Sequence, residues 1–295
     1  MDHATLQKKI TYTHKEKLKK LAYLIGGIIT IASLFFSFNF IFKHQTEISF
    51  IEIIKSNTTQ IIVLIIISTL INLFLGLAWY QILLGRGVKI SPNKAIKIYG
   101  VTQLAKYIPG NIFQFVGRQG VGMSEGIDAK NLAISSFIEI ILLSIVGCVC
   151  FLLFAITKYQ SFVNIIFLII LFLVFLFLPK IKKNDIYSFF LYFLYLLSTS
   201  LIFVYTFKIL NDNFDLSLKV YLTKSFAYIF AWFLGFITPG SPAGIGIREI
   251  TLAKVLETSV NSINLATVII VSRLISVVSD INFFLLSALF FKRKK

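Results

Sequence analysis

The sequence predicts an all-α integral membrane protein: six full transmembrane helices plus two re-entrant broken-helix elements in inverted orientation, in a single polytopic membrane domain over residues 1–295. Three observations predict it. The chain is 57% hydrophobic and 14% charged, with a mean hydropathy of +0.85, against roughly 45–50% apolar and 25% charged in soluble domains. Its apolar residues gather into runs of about 20, the length that crosses a bilayer core of about 30 Å as a helix. Two Pro-Gly breaks interrupt the pattern, Tyr107-Ile-Pro-Gly-Asn-Ile-Phe-Gln-Phe-Val-Gly-Arg118 and Ile237-Thr-Pro-Gly-Ser-Pro-Ala-Gly-Ile-Gly-Ile-Arg-Glu249, and in both an arginine follows the proline by nine residues.

Residues 1–20 form a basic N-terminus with Lys8, Lys9, Lys15, Lys17, Lys19 and Lys20. The following run, 21–42, is too long for a signal-peptide core and lacks a small-residue cleavage pattern, so it reads as an uncleaved first span. Spans follow at 61–84, 131–157, 160–179 and 186–207, and a sixth at 263–291 contains Arg273 and Asp280. Two apolar segments fall short. The run 95–108 carries Lys106 and is closed by Pro109; the run 225–238 is closed by Pro239 and, at 1.5 Å per residue, reaches only about 21 Å. They belong to the first re-entrant element, 95–123, and the second, 218–249.

Loops facing the cytoplasm carry the excess Lys and Arg. If both short segments crossed fully, Lys180, Lys182 and Lys183 would fall opposite the basic N-terminus and the cluster Arg86, Lys89, Lys94 and Lys97. If both enter and return, all the basic clusters, including Lys292-Arg-Lys-Lys295, share one side. Both termini are then cytoplasmic, and the two elements enter from opposite faces as inverted copies. Such broken helices in corresponding positions mark a transporter's binding site. The alternative is that the breaks only kink two spanning helices. The expected location is the cell inner (cytoplasmic) membrane.

Composition also excludes function classes. The net charge of +16 comes from lysines and arginines at the ends of apolar runs, which is a topology signal and not a nucleic-acid footprint. Cys148 and Cys150 lie two apart on one helix and point to different faces. His3, His14 and His44 occupy polar flanks, so no metal or cofactor is implied. There is no GxxxxGK[ST], GxSxG or HExxH motif.

The chemistry gathers at the breaks. Irregular backbone at membrane depth survives only where it is buried in protein or lines a wet cavity. Pro109, Gly110, Pro239, Gly240, Gly244 and Gly246 therefore border such a cavity, the glycines permitting positive φ. Arg118 and Arg248 suit phosphate, because guanidinium is planar, always charged and bidentate; the competing reading makes them interface anchors. Glu249 and Glu125 are the carboxylates placed to neutralise them. Lys106 and Gln114 line the first break, or Lys106 snorkels to the interface. Glu139, Arg273 and Asp280 lie within spans, where ionisable residues face the bundle interior. Glu139 is the candidate partner of Arg273, and the three are either a proton or ion relay or a structural ion-pair set.

The two motifs, Tyr99-Gly-Val-Thr-Gln-Leu-Ala-Lys-Tyr-Ile-Pro-Gly110 with Gly117-Arg118, and Thr238-Pro-Gly-Ser-Pro-Ala-Gly-Ile-Gly-Ile-Arg-Glu249, resemble the membrane domain of the lysylphosphatidylglycerol synthase/flippase family. The resemblance covers most of the chain and is most specific in the second motif. It implies a stand-alone flippase-like member without the aminoacyl-transferase domain, with Arg118, Arg248 and Glu249 at the family's charged motif positions. Asn111 departs from the more basic version of the first motif.

The expected function is a lipid flippase that moves a phosphate-containing lipid, a polyprenyl-phosphate-linked sugar or a phospholipid, between leaflets. Its partners are then membrane lipid, with a homo-oligomer or envelope-synthesis enzymes as further partners. The alternatives are a membrane-embedded glycosyl- or phosphotransferase using Glu125 and Asp128, and a non-catalytic subunit of an envelope-synthesis complex.

Overall fold

A computed structural model describes residues 55–108, 112–158, 182–210, 217–256 and 262–290, and all regular structure among them is helical. The expected spans 21–42 and 160–179, the basic N-terminus, Pro109 and Gly110 lie outside the described residues. Eight α-helices run in order: α1 Thr58–Gly85, α2 Pro92–Gln103, α3 Phe113–Ser124, α4 Ala129–Lys158, α5 Lys183–Leu210, α6 Leu218–Ile237, α7 Ile247–Leu256 and α8 Ser262–Phe290. Short 3₁₀ turns, Leu104–Tyr107 and Pro242–Gly244, follow α2 and precede α7. Among the described residues, five helices are long and apolar enough to cross a membrane: α1, α4, α5, α6 and α8.

One of these corrects a sequence expectation. The apolar run 225–238 is only part of a helix that begins at Leu218, where the expected second element also begins, so α6 has 20 residues and spans about 30 Å, enough to cross. Lys219 and Lys224 masked its first two turns. Long lysine stems pack along apolar surface, and the Lys224 ammonium sits 4.3 Å from the Phe207 ring centroid.

Local chemistry sets the helix ends. Gly87, at φ 80°, closes α1 in a Schellman motif, with Val88 N donating to Leu83 O at 3.1 Å and Gly87 N to Leu84 O at 2.9 Å. Gly126 repeats this after α3, where Ile127 N donates to Gly122 O at 3.0 Å. Ser91 caps α2 by accepting from Lys94 N at 3.3 Å, with Pro92 at the first helical position. Asp128 caps α4 by accepting from Asn131 N at 3.2 Å.

The helices pack into two hairpins. In the first, α2 and α3 lie side by side, and a 2.9 Å ion pair from Lys94 to Glu125 joins the start of one to the end of the other. In the second, α7 folds back on α6, and Leu252 and Leu256 join Ala227 and Ala231 of α6 in a cluster with Phe203 and Phe207 of α5.

The hairpins start from opposite ends of the bundle. The C-terminus of α1 adjoins the N-terminus of α5 through Arg86 and Asp185 at 2.9 Å, and α2 begins six residues after this junction closes α1. The second hairpin begins beyond the far end of α5, about 42 Å away for a 28-residue helix. Their tips, the two 3₁₀ turns, meet inside the bundle.

Close backbone approach holds the first hairpin in place. A Cβ on Gly100 would lie 1.9 Å from Ser287 Oγ of α8, and one on Gly76 would lie 3.2 Å from the Ile96 Cα. Small residues at such crossings let membrane helices exploit dispersion where no hydrophobic drive exists.

Candidate functional site

Residues flanking the first break and residues of the second tip line one polar cavity. Its wall includes Gln103, Lys106 and Tyr107 from the first tip and Ala243 and Arg248 from the second, with Gln114, Glu139 and Arg273 beside them. It leaves about 60 Å³ for water-sized molecules, room for about four or five waters but not for a lipid headgroup without side-chain movement.

The second tip is built by its glycines. Gly240, Gly244 and Gly246 have φ of 88°, 75° and 87°, and Ala243 has φ 49°. The buried Ser241 hydroxyl donates to Ile245 O at 2.7 Å, and Glu249 Oε2 accepts from Gly246 N at 2.6 Å. Arg273 reaches across from α8 to donate from Nη2 to Ala243 O at 2.9 Å. The chain thus reverses in a few residues and delivers Arg248 to the cavity wall. Pro239 stands exposed at the end of α6.

Asp280, buried at 2% exposure, organises the first tip. It pairs with Lys106 Nζ at 2.7 Å, and Tyr107 OH donates to it at 2.6 Å. Asn72 Nδ2 and Gln103 Nε2 approach its other oxygen at 3.3 and 3.5 Å. Lys106 therefore does not snorkel. It turns inward because Asp280 would otherwise be an unpaired charge at membrane depth.

The ion pairs correct three sequence expectations. Glu139 pairs with Arg118 and not with Arg273: Arg118 Nη1 and Nη2 both donate to it, the latter at 3.1 Å. Tyr99 OH adds a 2.9 Å hydrogen bond to Glu139. Glu125 serves Lys94 and not Arg118. Glu249 faces Arg273 and not its neighbour Arg248; Arg273 Nε lies 3.4 Å from Glu249 Oε1, close enough for an ion pair but misaligned for a hydrogen bond. All three pairings join elements that sequence spacing does not connect.

Arg118 and Arg248, matched in sequence, have different surroundings. Arg118 is 2% exposed and is boxed by the rings of Tyr99, Phe115 and Trp79, at 4.2, 5.0 and 5.8 Å. Neither is it an interface anchor nor does it reach the cavity surface; Glu139 and Gln114 stand there instead. Arg248 lines the cavity, lies 5.3 Å from the Trp232 ring centroid, and has a buried Nε without a hydrogen-bond partner. Among the described residues it makes no ion pair within 4 Å. A buried guanidinium without a carboxylate is costly unless an anion completes it.

Several site residues escaped sequence reasoning. Asn72 and Ser68 are polar residues inside an apolar run, a signal that was visible. Tyr228 and Trp232 sit in an aromatic-rich apolar run and only their placement at the cavity distinguishes them, while Tyr99 and Tyr107 lie in the first motif, which does not by itself mark their hydroxyls as partners of Glu139 and Asp280. Comparison with protein-family models and with curated proteins finds no match to this chain.

Proposed function

We propose that the protein is a lipid flippase, in which a phosphate-bearing headgroup enters the polar cavity between the two hairpin tips while its tails stay in the bilayer. The observation that carries this reading is Arg248, a guanidinium on a membrane-depth cavity with no counter-ion among the described residues. The hairpin arrangement supports it: two broken helices that start from opposite ends and touch at their tips resemble the way inverted-repeat transporters build a substrate site. In this reading the first hairpin is re-entrant from the cytoplasm, the second, whose α6 is by length able to cross, is its outward counterpart, the other spans surround them, and both termini are cytoplasmic. The resemblance to the membrane domain of the lysylphosphatidylglycerol synthase/flippase family points the same way.

The two arginines then divide the work. Arg248 takes the phosphate, with Lys106 and Arg273 flanking it, whereas Arg118 stays with Glu139 and fixes the wall of the first hairpin. A headgroup needs more room than the cavity offers, so entry separates the Lys106–Asp280 or Arg273–Glu249 pairs. Those pairs are the exchangeable contacts of a cycle.

Reconstitution into vesicles with a fluorescent phospholipid or polyprenyl-phosphate-linked sugar and a leaflet-specific quencher tests the reading. Flipping faster than in protein-free vesicles is the expected result, reduced about tenfold or more by Arg248→Ala, the loss of a charge-assisted hydrogen bond. Equal rates with and without protein would sink the proposal.

A further inference from the structure

Resting on the reading of this cavity as a headgroup site, we infer that it selects a lipid headgroup carrying one negative charge, a phosphodiester, with hydroxyl groups beside it, and rejects both diphosphate-linked and aminoacylated headgroups.

The charges give the first half of the argument. Among the described residues, the cavity and its immediate partners hold four cations, Lys106, Arg118, Arg248 and Arg273, and three carboxylates, Glu139, Glu249 and Asp280. Three pairs cancel, and one positive charge remains, localised on Arg248. In a poorly solvated site, charge left uncompensated on either partner is the dominant cost of binding. A phosphodiester brings one negative charge and leaves the complex neutral. A diphosphate diester brings two and leaves an excess anion even when an ion pair opens to admit it, because an opened pair frees one charge of each sign. An aminoacyl group brings an ammonium into a wall that already holds Lys106, Arg248 and Arg273.

The neutral lining gives the second half. Asn72 and Gln103 each direct one amide N–H at Asp280, which leaves each a second N–H as a donor and a carbonyl oxygen as an acceptor with no described donor. Ser276 and Thr199 add hydroxyls to the same wall. Carbonyl acceptors beside a guanidinium suit a ligand whose phosphate neighbours carry hydroxyl donors. Glycerol esterified to a phospholipid phosphate has this chemistry, and so does a sugar on a polyprenyl monophosphate.

The test is a binding titration of the detergent-purified full chain followed by tryptophan fluorescence, since Trp232 lies beside Arg248. Four short-chain probes are compared: dihexanoylphosphatidylglycerol, geranyl-phosphate-linked glucose, geranyl-diphosphate-linked glucose, and lysyl-dihexanoylphosphatidylglycerol. The two monoanionic probes are expected to bind about tenfold or more tighter than the other two. The tighter of these two identifies the source as phospholipid or polyprenyl lipid.

Glu249→Gln, which raises the site charge by one, shifts preference toward the diphosphate probe. Arg248→Gln removes the preference for anions. Equal or tighter binding of the diphosphate or lysyl probe to the unaltered protein overturns the inference, as does an unchanged preference order in a folded Glu249→Gln protein. Charge-selective binding without flipping in vesicles would refute the transport reading alone, while flipping that favours the diphosphate probe would refute the charge rule alone.

Discussion

At Arg118 and Arg248 the same residue type, nine positions after the same Pro-Gly step, serves two different ends. Arg118 is stabilised by a carboxylate, a tyrosine hydroxyl nearby and three aromatic faces. Removing one member of such a buried pair strands the other, at a cost of about 3–5 kcal/mol, whereas replacing both by apolar residues of similar volume is close to neutral. Arg118→Met is therefore expected to lower thermal stability strongly. Arg118→Met with Glu139→Leu recovers most of it, as melting of the detergent-solubilised protein would reveal. Arg248→Gln should leave the melting temperature within a few degrees, because among the described residues Arg248 holds no ion pair to break. A large loss of stability in that variant would make Arg248 a structural residue.

Between elements, backbone proximity decides what the side chains can do. Gly235 of α6 and Gly244 of the tip face each other, and a Cβ on Gly244 would lie 2.5 Å from Arg248 Nε and 3.0 Å from the Gly235 Cα. Gly235→Ala displaces Arg248, with its Cγ 2.7 Å from the new methyl. It is expected to weaken anion binding by more than it lowers stability, measured side by side by fluorescence titration and melting.

Gly100→Ala meets Ser287 Cβ at 2.4 Å and forces α2 off α8. Overpacking of this kind costs about 1–3 kcal/mol, and Ser287→Gly in the same chain should return part of it. The glycines on these contact faces were readable in the sequence as places where helices come close. Which neighbour each approaches was not, because the partner lies on a helix distant along the chain.

For the whole molecule, the hairpins make a topological statement. Lys89 and Lys130 flank the first hairpin and are exposed, so single cysteines there, in a chain with Cys148 and Cys150 replaced, should react with an impermeant maleimide from the same face of sealed vesicles. Lys219 and Lys254, at the two ends of the second hairpin, should both react from the opposite face. Labelling of Lys89 and Lys130 positions from different faces would mean that the first element crosses and is only kinked.

The sequence by itself determined the class of solvent, the long apolar helices and both breaks, since each depends on residues close together in the chain. Apolar run length against a fixed bilayer thickness identifies a helix able to span, and Pro-Gly stops a helix wherever it occurs. It underestimated the reach of α6, because Lys219 and Lys224 at the helix start cut the apolar run to 225–238. It also matched Glu139 to the wrong arginine, because ion-pair partners at membrane depth are chosen by which helix faces which. The tertiary structure alone decided that Lys106 belongs to Asp280, that Glu139 belongs to Arg118 and that Glu249 faces Arg273. The physical reason is that an unpaired charge in a low-dielectric interior is so costly that packing must bring an opposite charge to it from anywhere in the chain. Among the described cations at the cavity, Arg248 stands out only after those pairings are made, as the one left over.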